Sequence, residues 1–434
     1  MGFSVQARGG TFGQVLALGM LVMAVSLVSS STAAGATIES GSKKPRTAKV
    51  SASNVVSETV ASPASAERFW TPARIASARP APMPTPAGSF DVPNFGDSDA
   101  SASAATGDFT PGNVTGFPQV VHGKILFQVG ADTFSCSGTI VDSKNRNVIY
   151  TAGHCVYDRE SASFASNVVF IPAYENGASP LGFGTATTLL TTSRWVNKGD
   201  NAYDVGVVVL DQPAQDYFGA RKVAFDLYPR NREYTLYGYP SKPSPPFDGE
   251  VLRGCHSVII GQDNQRGQVI QVPRKRKKVR PLPLAASPCS MQQGASGGGW
   301  VTLGNYLNSV VSYGYCDTLP RTCGVIFGTF FSNAAKSLYV KAGGAPAPTV
   351  KLLKAPPKVV RKRAVRFRFG GTAATLLGFT CRLDRQKAVD CSSKITIRRL
   401  SPGKHTLRVR AVDQTGRKSK GQIVRSFRVK LKRR

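Results

Sequence analysis

The chain is expected to be all-β, of sandwich or barrel type. Three observations carry this. Short runs rich in β-branched and aromatic residues recur at 124–129, 137–141, 148–151, 168–171, 205–210 and 233–239, each bounded by Gly, Pro, Asn or Asp. No long stretch with helical period stands out between about 115 and 343. A second set of short strands, at 365–369, 379–383, 405–411 and 424–429, follows a Pro- and Lys-containing break. With 434 residues there is room for two or three domains, and a hydrophobic content of 41% is enough to build their cores, against wholesale disorder.

In chain order, 1–36 reads as a secretory signal peptide. Arg8 makes the leading region positive, 15–28 is an apolar run, and Ala34-Gly35-Ala36 is a small-residue cleavage site. The run falls short of the ~20 residues of a spanning helix, so no membrane anchor is expected after cleavage; an uncleaved anchor is the alternative. Residues 37–115 are rich in Ala, Ser, Pro and Thr, with little apolar periodicity, and read as a spacer or a pro-segment. Their exception is an aromatic island around Phe69 and Trp70. The first strand set occupies 116–343, the break 344–358 reads as a linker, and 359–434 fits a small sandwich with turns at 401–404 and 413–416.

Eight cysteines fall in close-spaced pairs, Cys136/Cys155, Cys255/Cys289, Cys316/Cys323 and Cys381/Cys391. This suggests disulfides, with sequential pairing as the hypothesis, and an oxidising compartment outside the cell. A zinc site is the rival, but the chain has no C-x-x-C and no H-x₃₋₅-H. No metal or organic cofactor is implied. The formal charge is +31, and residues 351–434 hold 26 Lys and Arg against three Asp, a net +23. Such a field favours anionic partners, among them cell-wall polymer, acidic polysaccharide, anionic lipid or nucleic acid; a merely soluble basic surface is the alternative. No specific nucleic-acid site is read. Arg274-Lys275-Arg276-Lys277-Lys278 reads as a solvated loop, a processing site or an anionic contact.

The chemistry centres on 292–300, where Ser296 is flanked by glycines. Glycines let the backbone turn tightly, so that N–H groups can face a developing oxyanion. Alone, Gly294-Ala295-Ser296-Gly297-Gly298 also fits an α/β-hydrolase elbow or a plain loop. His154 lies beside Cys155 after a β-branched run, and Asp204 stands at the mouth of the apolar run 205–210. Asp200 and Asp211 are rival acids; Asp204 is preferred because the strand begins right after it. A serine hydroxyl needs a neutral imidazole to take its proton, and the imidazole needs a buried carboxylate to hold its tautomer. The order His, Asp, Ser argues against the hydrolase elbow, whose order is Ser, acid, His. After Ser296 the next histidine is His405, in the basic tail. His122 and His256 read as structural or surface residues.

Thr151-Ala152-Gly153-His154-Cys155, the Asp204-Val205-Gly206 strand start and Gly294–Trp300 together resemble the chymotrypsin-like serine peptidases. The nearer likeness is to the secreted bacterial group of glutamyl endopeptidases and their actinobacterial relatives. The resemblance covers about 115–343 and implies two six-stranded antiparallel barrels with the site between them. It implies His154 as general base, Asp204 as its orienter, Ser296 as nucleophile, the N–H groups of Gly294 and Ser296 as oxyanion donors, and a Cys136–Cys155 bridge beside the histidine. Protein or peptide substrates follow. The island at Trp70 is similar to pro-segments of the actinobacterial relatives. Ala295 stands where many animal relatives carry an Asp that pairs with a freed N-terminus, so activation is expected to require removal of a pro-segment. Ser312, Tyr313 and Gly314 resemble the strand that pairs with substrate and walls the primary pocket, and Ser290 is expected near the pocket floor. Cys316 and Cys323 are expected to close a small loop after that strand with a rigidifying bridge. The glutamyl enzymes usually carry His where Ser312 stands, and Ser290 is not Asp, so a neutral, apolar preference is expected. The tail motif from Phe379 to Asp413 resembles bacterial Ig-like modules, which implies a sandwich with a Cys381–Cys391 bridge. The leading expectation is a secreted serine endopeptidase, free or associated with the cell surface through its basic tail. The alternative is an inactive peptidase-like protein that binds or adheres.

Overall fold

The structure, a computed structural model, describes residues 36–40, 54–60, 63–84, 107–266, 268–316 and 323–431. Except for Ala36, the signal peptide expected at 1–36 lies outside them. Within them the chain is mostly β, and the first strand set forms two closed barrels.

The first barrel closes through six antiparallel strands. His122–Val129 pairs with Asp132–Val141, which pairs with Val148–Thr151; this pairs with Gly206–Leu210, then Gly184–Thr192, then Ser166–Pro172, which returns to the first. The period of two decides what each face does. On Val148–Thr151, Ile149 points into the barrel core with Ile125, Phe127, Ile140 and Val208. Val148 and Tyr150 point the other way, into a cluster shared with the second barrel. Such a strand is apolar on both faces, and all four of its residues are buried. The second barrel closes through Glu233–Gly238, Arg253–Asp263, Leu284–Ser287, Ile326–Gly328, Tyr306–Tyr313 and Gly299–Thr302. Leu236, Ile259, Leu284, Trp300, Val311 and Ile326 fill it.

Helix Asn333–Ala342 has no counterpart in the sequence reading. Its buried face, with Leu338 and Tyr339, sits on the cluster between the barrels. Even Lys336 is buried there, and burial lowers its pKa. The helix ends at Gly343, but Lys351–Lys354, expected in the linker 344–358, is a strand of the following module, paired with Val365–Gly370. That module is a two-sheet sandwich. Lys351–Lys354, Val365–Gly370 and Lys394–Arg398 form one sheet; Val359–Val360, Ile423–Val429, Gly403–Asp413, Leu377–Leu383 and Val389–Cys391 form the other.

All four disulfides join the sequential pairs: Cys136–Cys155, Cys255–Cys289, Cys316–Cys323 and Cys381–Cys391. Cys323 departs from the others in its surroundings. The other cysteines are buried, whereas Cys323 is only half-buried, next to an exposed Gly324. Its bridge joins Cys323 to Cys316, just beyond the barrel strand Tyr306–Tyr313.

The segment 37–115 does more than a spacer requires. Thr37–Ser40 adds an edge strand to the sandwich, against Lys394–Arg398. Val55–Thr59 adds one to the first barrel, against Gly184–Thr192. Helices Pro63–Phe69 and Pro72–Ser77 follow. Between them Trp70 is buried, and its indole N–H donates to the Asn167 carbonyl at 2.6 Å. A short amphipathic island can bury an aromatic on a pre-formed barrel without any core of its own, so it needs no long apolar period. Asp108–Phe109 pairs with Gly254 and Cys255, so the second barrel's partners begin before residue 116.

Candidate active site

His154 sits in the turn after strand Val148–Thr151, tied down by the Cys136–Cys155 bridge. Asp204 follows a 3₁₀ turn, Asn201–Tyr203, whose N-cap is Asp200. The Asp204 side chain is fully buried. Its Oδ1 accepts from the His154 backbone N–H and its Oδ2 lies 2.8 Å from His154 Nδ1. A carboxylate gripping backbone and ring together fixes the imidazole's tilt as well as its tautomer, leaving Nε2 as the free lone pair. Gly153 makes the approach possible, because a Cβ there would come within 2.9 Å of Asp204 Oδ1. The rival acids are used elsewhere: Asp200 caps its turn and pairs with Arg194, and Asp211 accepts from the Thr185 N–H.

Ser296 lies across the interface between the barrels. Its Oγ and His154 Nε2 are both buried, and neither has a hydrogen-bond partner, so the serine–imidazole bond of a reacting pair is not made in this state. The backbone ahead of Ser296 makes a turn closed by the Ala295 N–H donating to Gln292 O at 3.0 Å, with Gly294 at φ 91°. A Cβ at Gly294 would meet Tyr239 O at 2.5 Å, so only glycine fits. Gln293 O is drawn outward by the Ser241 N–H. Neither the Gly294 nor the Ser296 N–H donates to another backbone carbonyl of the described residues, which leaves both for an oxyanion.

Ala295 is fully buried, against Gly238. In place of an ion pair, Ser137 braces this loop: its N–H donates to Ser296 O at 2.7 Å, its hydroxyl donates to Gly294 O at 2.9 Å, and that hydroxyl accepts from the Tyr239 N–H. Sequence reasoning passes over Ser137, which lies in an ordinary strand with no motif around it.

The expected pocket residues divide. Ser312 does not turn its side chain to a substrate; its hydroxyl donates to Asp204 Oδ2 at 2.5 Å, because strand alternation aims it at the first barrel. Tyr313 is buried, stacked on Phe327, and both Tyr313 and Tyr315 donate to the buried Asp263. Burial first, then the Asp263 charge, raises both phenols, which keeps them protonated donors. Gly314 leaves room for the Gln292 side chain, whose amide lies where a Cβ would stand. Ser290 bonds through its N–H and hydroxyl to Asp108. Cys316 and Cys323 are bridged just beyond the pocket strand, as expected, but residues 317–322 of the loop they close lie outside the described residues. Cys323 is thus a bracing residue at the half-buried end of the bridge; its sulfur is held by Cys316 and has no free thiol for chemistry. His405, in the sandwich, lies 2.7 Å from Asp384 and 2.9 Å from the Ser401 carbonyl, both in that same module. Among the described residues, two groups gather enough His, Cys or Asp ligand atoms for a metal, Cys136–His154–Cys155 and Asp108–Cys255–Cys289. In both, the sulfurs belong to disulfides and offer no thiolate.

Residues 114–334 match the Trypsin family model. The chain is 29% identical over 131 residues to a glutamyl endopeptidase of Bacillus licheniformis, a match covering 30% of this chain and 38% of that protein's length. Among solved structures it is similar to the protease Anisep from Arthrobacter nicotinovorans, at 30% identity, covering 54% of this chain and 99% of that one with a TM-score of 0.44. It is also similar to a thermostable serine protease, AL20, from an extremophilic microorganism, at 34% identity, 52% and 97% coverage and a TM-score of 0.44. The family match spans just over half of the 434 residues and takes in both barrels with His154, Asp204 and Ser296: the chain belongs to the trypsin family.

Proposed function

We propose that this chain is a secreted serine endopeptidase. Ser296 attacks the scissile carbonyl and His154 takes its proton. Asp204 holds the imidazole and stabilises its cation, and the N–H groups of Gly294 and Ser296 bind the tetrahedral oxyanion. His154 gives that proton to the leaving amine as the C–N bond breaks, which leaves the acyl-enzyme on Ser296. The imidazole, neutral again, takes a proton from the attacking water and returns it to Ser296 Oγ as the acid product departs. The observation that carries this reading is the double grip of Asp204 on His154 beside a serine whose loop is braced in a turn. Each oxyanion donor is worth about 3 kcal/mol. A fluorophosphonate should label the processed protein once, and Ser296→Ala should remove the label while leaving the fold unchanged. Absence of label in the processed parent would favour the inactive, adhesive alternative.

Residues 359–434 serve in this proposal as an Ig-like anchoring module for anionic cell-wall or extracellular polymer. Like charges stand directly opposite one another on the five-stranded sheet: Arg382 faces Arg408, and Lys404 faces Arg428. Such pairs destabilise a sheet, and a polyanion would neutralise them. Changing Arg382 and Arg408 to Glu should shift elution from heparin, as a polyanion probe, to lower salt. Unchanged elution sinks the idea.

A further inference from the structure

The segment from Arg79 to Pro84, Arg-Pro-Ala-Pro-Met-Pro, is unexplained by the chemistry above. Arg79 and Pro80 pair in parallel with Phe134 and Ser135, and the Ala81 N–H donates to Ser135 O at 3.0 Å. Ala81 is buried in the cluster that holds Cys136 and Cys155, the bridge beside His154. Two residues on, Met83 packs against the clusters holding Tyr313, Tyr315 and Phe327 on one side and Met291 and Val311 on the other. The segment thus passes from the histidine side of the catalytic residues to the pocket strand. Ser296 Oγ and His154 Nε2 are buried in this state.

We propose that residues 79–84 are an autoinhibitory strap that lies in the substrate cleft with reversed polarity and is protected from cleavage by its prolines. The inference rests on the peptidase reading and names how that site is regulated. A substrate places the residue before the scissile bond against the pocket strand and its leaving amine on the side of His154, which must protonate it. The strap has Ala81 on the histidine side and Met83, later in the chain, at the pocket strand. Its carbonyls therefore follow the opposite order, and none is presented with its amine toward the acid. The sequence adds a second barrier. Every other bond, Arg79–Pro80, Ala81–Pro82 and Met83–Pro84, ends in a ring nitrogen that fixes the backbone and has no N–H. The ion pair Arg79–Asp132 fastens the entering end. Without the Asp and N-terminus pair that Ala295 precludes, a covering strap gives the chain another way to remain silent.

The test compares three samples with a fluorophosphonate: the uncleaved chain, the same chain carrying Ala81→Arg and Met83→Arg, and the processed protein. The uncleaved parent should label at least about tenfold more slowly than the other two, a difference of about 1.4 kcal/mol in barrier, with intact mass showing the double variant still uncut. Equal rates in all three overturn the strap and leave the peptidase reading standing. A processed protein that never labels overturns the peptidase reading and the inference with it. Amide exchange in the uncleaved Ser296→Ala chain reads the strap independently of activity: slow exchange at Ala81 supports it, and exchange at the unprotected rate overturns it. Polarity is read with Pro84→Ala, which makes the bond after Met83 an ordinary amide. No cut there is expected; a concentration-independent cut after Met83 overturns the reversed course.

Discussion

At the scale of single residues, Asp204 does the most. It is fully buried and takes three donors, the His154 backbone and ring and the Ser312 hydroxyl. Replacing it by Asn keeps the shape but offers a donor where the ring N–H needs an acceptor. Asp204→Asn should lower kcat by roughly 10³–10⁴-fold with little change in KM. Ser312→Ala removes one donor from a charged group without touching the ring. A loss of roughly tenfold in kcat is expected, and Ser312→Thr should restore part of it. Ser312 is a positioning residue on this account, so steady-state kinetics separate it from a pocket residue, whose loss would raise KM. Gly294→Ala should lower activity and melting temperature together, because its φ of 91° and the 2.5 Å approach to Tyr239 O leave no room for a methyl group.

At the scale of elements, the leader and the barrels are joined by added strands and by aromatic contacts, of which Trp70 is buried. Val55–Thr59 extends the first barrel's sheet, and Trp70 fills a hollow against Asn167. Trp70→Ala should weaken this docking by up to about 3–5 kcal/mol. Limited proteolysis of the uncleaved Ser296→Ala chain should then cut 63–77 faster, while the barrels resist as before. The loop before Ser296 shows the same logic in reverse. Ala295 offers no charge to anchor it, and Ser137, Ser241 and Lys242 hold it through backbone-directed hydrogen bonds instead. These bonds exist before any cut. Activation by removal of a strap needs nothing more from the nucleophile loop, whereas activation by a new N-terminus would need an acid at Ala295.

At the scale of the whole molecule, two histidines give the modules opposite responses to pH. His122 is buried between Thr139, Tyr237 and Arg221; burial, and then the Arg221 charge, hold its pKa well below the ordinary value near 6.5. It folds neutral. Its contribution to stability is present above about pH 6.5 and is lost on acidification, as the unfolded chain takes up the proton. His405 is the reverse. Burial pulls its pKa down, but the Asp384 hydrogen bond, the Ser401 carbonyl and the Asp384 charge raise it overall. Its contribution is full below about pH 6.5 and fades as pH rises through the raised value. Melting of the parent against His405→Gln should show a gap that closes as pH rises above about 6.5, and against His122→Gln a gap that widens as pH rises toward about 6.5. The sandwich is not loosely tethered. The Gln414 amide bonds both backbone groups of Phe225, at 3.0 and 2.7 Å, and the Val223 N–H donates to Ala374 O. A buried join of this kind transmits orientation, so a polymer held by the sandwich would hold the barrels at a set angle to it.

The amino-acid sequence by itself determined the class of fold, the two strand sets and the order His154, Asp204, Ser296, and it suggested the cysteine pairs. Each of these is a local pattern: alternation within a strand, spacing within a loop, or a glycine-flanked residue. Tertiary structure decided the rest. Spacing suggests that Cys323 pairs with Cys316, and the folded chain shows the bond and that its Cys323 end is half-buried while the other cysteines are buried. Ser137 reaches Gly294 across 157 residues of chain, Asp108 reaches Ser290 across 182, and Ser312 reaches Asp204 across 108. Helix Asn333–Ala342 is short, and it gains its stability from the cluster it covers more than from its own propensity. Met83 and Ala81 are ordinary residues in a proline-rich run until the barrels close beside them. A contact made only when two distant strands meet leaves no period in either, because each side chain is chosen for the partner and not for its neighbours.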